Sequence, residues 1–291
     1  LSLLSLSIAL ALPAWAQTPA EAKDKAKLDV VVVTTERRVE RIQDVPNAVS
    51  AVSGEKLDVL ASGGQDVRFL SGRVPSLNIE SSFGRAFPRF YIRGYGNTDF
   101  RLNASQPVSL VYDDVVQENP ILKGFPAFDL ERIEVARGPQ GTLFGRNTPA
   151  GVVKFDSVKP TKKLEGYASL AVGDRGTTNL EGAINVPLGQ GVSARVSVLD
   201  QRRDDWVKNT VASGLTQGFE GYRNSAVRAQ LLVEPSKDFS ALFNLHSRDL
   251  NGSARLFRAN IIKPKTNELV DGFDETKISV DGKNESELQI S

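Results

Sequence analysis

Glu131–Lys154 reads ERIEVARGPQGTLFGRNTPAGVVK. Ile133–Ala136 is β-branched and apolar enough for a strand, Gly138-Pro139 marks a turn, and a second strand is predicted over Val152–Val158. Between them Gly141, Gly145 and Gly151 punctuate the loop. Glycine permits positive φ and close backbone approach, so the loop is predicted to be a shaped, buried connection and not a plain surface hairpin. A Gly-rich turn after a strand is also how nucleotide folds hold pyrophosphate. Here no Gly-Lys-Ser/Thr closes the loop, the spacing is not G-x-G-x-x-G, and Pro139 and Pro149 break any helix that would follow, which argues against that reading.

Outward from this stretch, residues 35–160 are predicted to form one compact α+β domain of ordinary size. Apolar spacing suggests short helices over Gly54–Leu60 and Gln65–Leu70, and Pro75 forces an extended chain into Leu77–Glu80. Further strands are predicted over Phe90–Arg93 and Val108–Val116. Residues 161–291 follow a different grammar. Leu180, Gly182, Ile184 and Val186 alternate with Asn179, Glu181, Ala183 and Asn185; Val192–Val198, Val227–Val233 and Phe239–Leu245 repeat the pattern. Period-2 alternation suits a transmembrane β-barrel with one face to lipid and one to a polar lumen, but a soluble β-sandwich alternates too. Connection length separates them. Leu188–Gly191 and Pro235–Asp238 are tight, whereas the connections on the other side lengthen to roughly Arg203–Tyr222 and Asp249–Glu285, the sorting of short periplasmic turns and long outer loops.

At the start, the apolar run Leu3–Leu12 precedes Ala14-Trp15-Ala16, so residues 1–16 are predicted to be a signal peptide whose own beginning is missing. Residues 17–34 comprise a polar, Ala/Lys-rich stretch and then Asp29-Val30-Val31-Val32-Val33-Thr34. That run is either the first strand of the folded domain or an extended segment on a tether. Cysteine is absent and His246 is the only histidine, which leaves no Cys/His metal site. Net charge is +1 with no basic runs, so no nucleic-acid partner is expected.

The whole of Glu131–Lys154 resembles the signature near the end of the plug domain of TonB-dependent outer-membrane receptors, E-R-I-E-V-x-R-G-P-x-G-x-L-F-G-x-N-x-x-x-G-V-V. The likeness extends to Asp44-Val45-Pro46, Val74-Pro75-Ser76-Leu77, Ile92-Arg93-Gly94 and Val111-Tyr112-Asp113-Asp114-Val115. Asp114 departs from the pattern, since the family usually has Gly there; Asp still tolerates a left-handed turn. The resemblance implies an α+β plug followed by the first strands of an antiparallel barrel of 22 strands when complete. About five strands and the start of a sixth fit in residues 161–291, so an N-terminal fragment is expected.

It further implies an outer-membrane transporter, not an enzyme, in contact with outer-membrane lipid. Its cargo would be a metal chelate, foremost a ferric siderophore, with no cofactor of its own because iron arrives already chelated. Asp29, Val30, Val31, Val32, Val33 and Thr34 would be a TonB box, held by the energy-transducing TonB protein through strand addition. Ser82, Phe83, Arg85 and Phe87 in one loop, and Gln117, Glu118 and Asn119 in another, would be the plug apices that touch ligand. Arginine pairs with anionic oxygens and aromatic faces stack, so Phe83, Arg85 and Phe87 suit an anionic, partly aromatic chelate, although a loop of this composition can equally pack its Phe residues beneath itself. Arg93 and Arg137 would lock the plug to barrel glutamates beyond Ser291. Haem, cobalamin and carbohydrate receptors share this plug grammar. A structural or adhesive outer-membrane protein fits the box and plug signature less well, and a secreted hydrolase lacks a nucleophile–base constellation.

Overall fold

The computed structural model of the chain describes residues 31–290, apart from 36, 62–63, 65, 98, 100, 102, 212–217, 254–255, 257–260 and 279–286. The leader at 1–16, the tether, Asp29 and Val30 lie outside the described residues.

The plug begins with β1 (Val32–Val33) and β2 (Glu40–Arg41), then β3 (Ala48–Ser53) and helix α1 (Gly54–Ala61). The hairpin β4 (Leu77–Glu80) and β5 (Arg89–Ile92) carries the short β6 (Tyr95–Gly96) on its edge. The central strands are β7 (Val108–Tyr112), β8 (Val115–Gln117), β9 (Leu130–Arg137) and β10 (Gly151–Ser157), with the one-turn α2 (Gly141–Phe144) between the last two. They form a sheet in the order β3-β9-β10-β7-β8, in which β10 runs parallel to β7 and antiparallel to β9. Val52, Leu57, Phe69, Leu70, Ile79, Phe90, Ile92, Ile133, Val135, Val153 and Phe155 pack into one core. The connection read from Glu131–Lys154 is shaped as expected, with Gly138 N–H donating to Ala150 O at 2.9 Å and Gln140 N–H to Thr148 O at 3.1 Å, but it is not buried as expected: Pro139, Gly141, Thr142, Gly145, Arg146 and Pro149 are exposed. Gly151 sits at φ 150°, where an added Cβ would lie 2.3 Å from Ala136 O, so no other residue fits there.

Two expectations need correction. The helix over Gln65–Leu70 shrinks to a 3-10 turn, Val67–Leu70, because Asp66 acts as its cap, accepting from Arg68 N–H at 3.1 Å; a capping side chain competes with continuation of helix on its N-terminal side. The single strand over Val108–Val116 is a hairpin. Asp113 and Asp114 both take left-handed φ, 45° and 67°, and reverse the chain so that Tyr112 faces Val115. Aspartate in place of the usual Gly is thus accommodated at the turn.

The wall consists of β11 (Glu165–Gly173), β12 (Thr177–Gly189), β13 (Val192–Arg203), β16 (Tyr222–Ser236), β17 (Phe239–Ser253) and β19 (Glu287–Ile290), each antiparallel to the next. Between them β14 (Val207–Asn209), β15 (Gly218–Phe219) and β18 (Lys277–Ile278) form a small sheet in the long connections. The wall is inverted relative to a soluble sandwich. Ser193, Arg195, Ser197, Gln201, Asn224, Arg228 and Gln230 are buried against the plug, whereas Leu170, Val172, Ile184, Val196, Val198, Val227, Phe243 and Leu245 point outward and are exposed. An apolar outer phase with a polar inner phase is the pattern of a strand wall facing lipid. No helix among the described residues is long and apolar enough to cross a membrane.

Candidate plug-apex chamber and plug–wall seams

The tip of the β4–β5 hairpin is held by its own side chains. Ser81 Oγ donates to Ala86 O at 2.6 Å and accepts from Phe83 N–H at 3.2 Å, while Ala86 N–H returns to Phe83 O. This folds Ser82 and Phe87 inward: Ser82 accepts from Arg89 Nη2, and Phe87, at φ 49°, is buried with its ring 5.6 Å from that of Phe83. Phe83 and Arg85 turn the other way and line a chamber of about 570 Å³ with Asp66, Arg68, Arg175, Arg203, Trp206, Glu220 and Tyr222. The four loop residues therefore divide into two that face the chamber and two that support it.

Arginine–aromatic stacking dominates the chamber. Arg85 lies 3.6 Å above the Tyr222 ring, Arg203 approaches the same ring at 5.0 Å, and Arg175 covers Trp206 at 4.0 Å. Arg85 also donates to Gln201 Oε1 at 2.6 Å and to Gly64 O. Burial lowers the Arg85 pKa, and the neighbouring Arg68 and Arg203 act in the same direction. Asp66 and Arg68 pair at 2.7 Å; burial opposes charge on both, yet their mutual pairing lowers the Asp66 pKa and raises that of Arg68.

Gln117, Glu118 and Asn119 do not join this chamber. Reversal of the chain at Asp113-Asp114 carries them to another edge, where Glu118 accepts from Asn147 Nδ2 at 2.8 Å and meets Arg146 at 3.5 Å. Arg93 is exposed at φ 53°. Arg137 Nη1 donates to Ser50 Oγ and Pro75 O, and neither arginine forms an ion pair among the described residues. His246 lies edge-on to Tyr112 and Phe125 on the lumen side. No group of three or more His, Cys, Asp or Glu gathers as a metal site among the described residues.

The described part of the valine run is docked. Val32 and Val33 pair with Arg41 and Glu40, and Val33 is buried. Thr34 N–H donates to both oxygens of Glu134, at 2.8 and 3.0 Å, and Thr34 Oγ1 accepts from Lys154 Nζ at 2.7 Å. Arg132, Asp156 and Asp114 complete this cluster: Arg132 reaches Glu134 and Asp156 at 3.0 Å, and Lys154 reaches Asp156 at 2.9 Å and Asp114 at 3.2 Å.

A second charged seam was not anticipated from sequence. Asp129, just before β9, accepts from Arg195 Nε at 2.8 Å and Nη2 at 2.5 Å, from Arg228 Nη2 at 3.0 Å and from Ser197 Oγ. Arg228 also donates to Tyr112 Oη at 2.6 Å and to the carbonyls of Phe128 and Asp129, and it is fully buried. Burial favours the protonated acid, but the hydrogen bonds from Arg195 and Ser197 and the charges of Arg228 and Arg195 outweigh it, so the Asp129 pKa falls below the usual carboxylate value. Nearby, Asp113 binds Ser157 and accepts from Asn244 Nδ2 at 2.9 Å. The polar phase of the wall strands contains Arg195 and Arg228, and a lumen-facing arginine needs a carboxylate. That was the only hint sequence offered.

The TonB-dependent Receptor Plug Domain family matches residues 41–152. The chain is 26% identical over 226 residues to the pesticin receptor of Yersinia enterocolitica, covering 78% of this chain and 32% of that protein. It is 24% identical to the vitamin B12 transporter BtuB of Vibrio vulnificus, covering 74% and 34%. The ferric yersiniabactin uptake receptor FyuA of Yersinia pestis superimposes with a TM-score of 0.64 at 22% identity, over 72% of this chain and 32% of that one. The chain thus spans about a third of the length of the curated relatives it matches.

Proposed function

We propose, from the premise that this chain belongs to the TonB-dependent outer-membrane receptors, that it serves energised uptake of a metal chelate, most specifically a ferric siderophore, across the outer membrane. The observation that carries this reading is the chamber between the Phe83–Arg85 tip and the ends of β13, β16 and β17 that bear the long connections, with arginine and aromatic faces side by side. That combination suits an anionic chelate with ring donors. The similarity to the ferric yersiniabactin uptake receptor supports a ferric chelate as the cargo. A cobalamin cargo is the second reading, supported by the similarity to the vitamin B12 transporter.

The partner would be TonB, engaging Asp29–Thr34 by strand addition, which uses backbone N–H and C=O groups. In the docked state Val31 O already accepts from Ile42 N–H and Thr34 N–H is held by Glu134, so engagement requires undocking. In the full-length receptor, Val31→Pro removes a backbone donor and fixes φ, whereas Val31→Ile keeps the backbone intact. Uptake of radiolabelled iron by respiring cells should vanish with Val31→Pro and persist with Val31→Ile, while ligand affinity survives both. Normal uptake by the proline variant would remove the box assignment, and uptake of every chelate after the proton-motive force is collapsed would remove the transport reading.

A further inference from the structure

Arg85 on the plug and Arg248 on the wall are joined through two neutral amides. Arg85 Nη1 donates to Gln201 Oε1 at 2.6 Å, Asn224 Nδ2 donates to the same oxygen at 3.2 Å, and Arg248 Nε donates to Asn224 Oδ1 at 2.8 Å. Gln201 and Asn224 are buried. Among the described residues, none of Arg85, Arg203 and Arg248 forms an ion pair, and Arg248 Nη2 and Arg203 Nε are sealed from solvent without a hydrogen-bond partner. Among the described residues, four arginines line the chamber against two carboxylates, Asp66 and Glu220, and Asp66 is already committed to Arg68.

A side-chain amide can satisfy guanidinium N–H groups without cancelling their charge. A site selected only for stability would carry a carboxylate at position 201, whose oxygen already accepts two N–H groups. Like charges held together away from water are costly, and an entering anion relieves that cost. A neutral ligand leaves the cost in place.

We infer that Arg248, sealed behind Arg85 and Gln201, is a specificity-determining cation for the anionic, ring-bearing chelate proposed above. The inference rests on the uptake reading and narrows it. Tyr222, Trp206 and Phe83 supply the ring surfaces, and the cations of Arg85, Arg203 and Arg248 supply the charge that the chelate must complete.

The test is equilibrium binding of two radiolabelled ferric probes of similar size to outer-membrane preparations of the full-length receptor. One probe is a strongly anionic tris-catecholate complex and the other a charge-neutral tris-hydroxamate complex. The catecholate complex is expected to bind about 10- to 100-fold more tightly, and Arg248→Met should erase most of that advantage. Because Arg248→Met could also disturb folding, Gln201→Glu is the decisive variant. It keeps the acceptor and neutralises the arginine pair from within, so it should raise the melting temperature of the apo receptor while weakening the catecholate complex about 10-fold or more. Equal affinity for the two probes, or unchanged catecholate affinity in Gln201→Glu, overturns the inference and leaves energised uptake standing. The expected affinity pattern without energy-dependent uptake would support the inference and count against transport.

Discussion

Asp129 and Glu134 are buried carboxylates five residues apart, yet their surroundings oppose each other. Asp129 faces two wall arginines and a serine, and its pKa is held down. Glu134 faces the N-terminal strand and shares Arg132 and Lys154 with Asp156; burial, with the Asp156 charge behind it, raises its pKa despite the bond from Thr34 N–H. The wall seam therefore has cations to spare, whereas the N-terminal seam is short of them. The plug is pinned where it meets the wall and more lightly held at its N-terminal strand.

Neutral substitution breaks this comparison most sharply. Asp129→Ala leaves Arg195 and Arg228 buried without a counter-ion and should cost about 3–5 kcal/mol of plug–wall stability. Asp129→Asn should also cost several kcal/mol, read in the full-length receptor from the denaturant concentration at which protease first cuts the plug. A loss under about 1 kcal/mol would show that the wall seam does not anchor the plug.

Arg85→Ala is the control outside both seams. It should weaken ligand binding by about 1.5–3 kcal/mol, the range for a hydrogen bond to a charged group. Protease resistance should fall less than in Asp129→Asn, because the substitution removes the Arg85–Gln201 bond across plug and wall but no ion pair; an equal loss would make Arg85 part of the anchor.

At the N-terminal seam, Glu134→Ala orphans Thr34 N–H and should cost about 1–2 kcal/mol of docking, whereas Glu134→Gln keeps an acceptor, removes the repulsion from Asp156 and should stay within about 1 kcal/mol. A spin label at exposed Val31 reports the docked fraction. Equal sensitivity to amide substitution at positions 129 and 134 would erase the contrast.

The smallest effect expected is that of pH. The depressed Asp129 pKa contributes stability that is full above the ordinary carboxyl value of about 4 and is lost as pH falls through the lowered value. The raised Glu134 pKa works the other way: its contribution is present below about 4 and is lost as pH rises through the elevated value. Acidification below about 4 should thus loosen the wall seam, seen as earlier proteolysis, without releasing the Val31 label. Simultaneous release would contradict the separate electrostatics of the two seams.

Much of this arrangement was legible in the chain. Glu131–Lys154 announced the β9–β10 pair because Gly151 and Pro139 leave the backbone few choices, and alternation from Lys162 onward announced the wall because a strand between two solvents must sort its side chains by parity. Asp129 was not legible: nothing in FDLERIEV says that its aspartate meets arginines 66 and 99 residues downstream, since that contact exists only once the sheet has curved around the plug. The separation of Gln117–Asn119 from the Phe83–Arg85 tip was not legible for a related reason, because two left-handed aspartates re-aim the chain and local composition does not record direction. The valine run stays two-sided. Its residues dock as a plug strand, and docking says nothing against later capture by a partner.

Gly124 lies beneath the chamber, and a methyl group there would stand 2.6 Å from Arg85 O and 3.3 Å from Pro88 Cδ. The shape of the cavity is therefore set in part at a position that does not line it. Alanine there would force the backbone at Arg85 to move, and with it the Phe83–Arg85 tip that lines the chamber. Gly124 is thus a tuning point for the chamber that comparison of its lining residues alone would overlook.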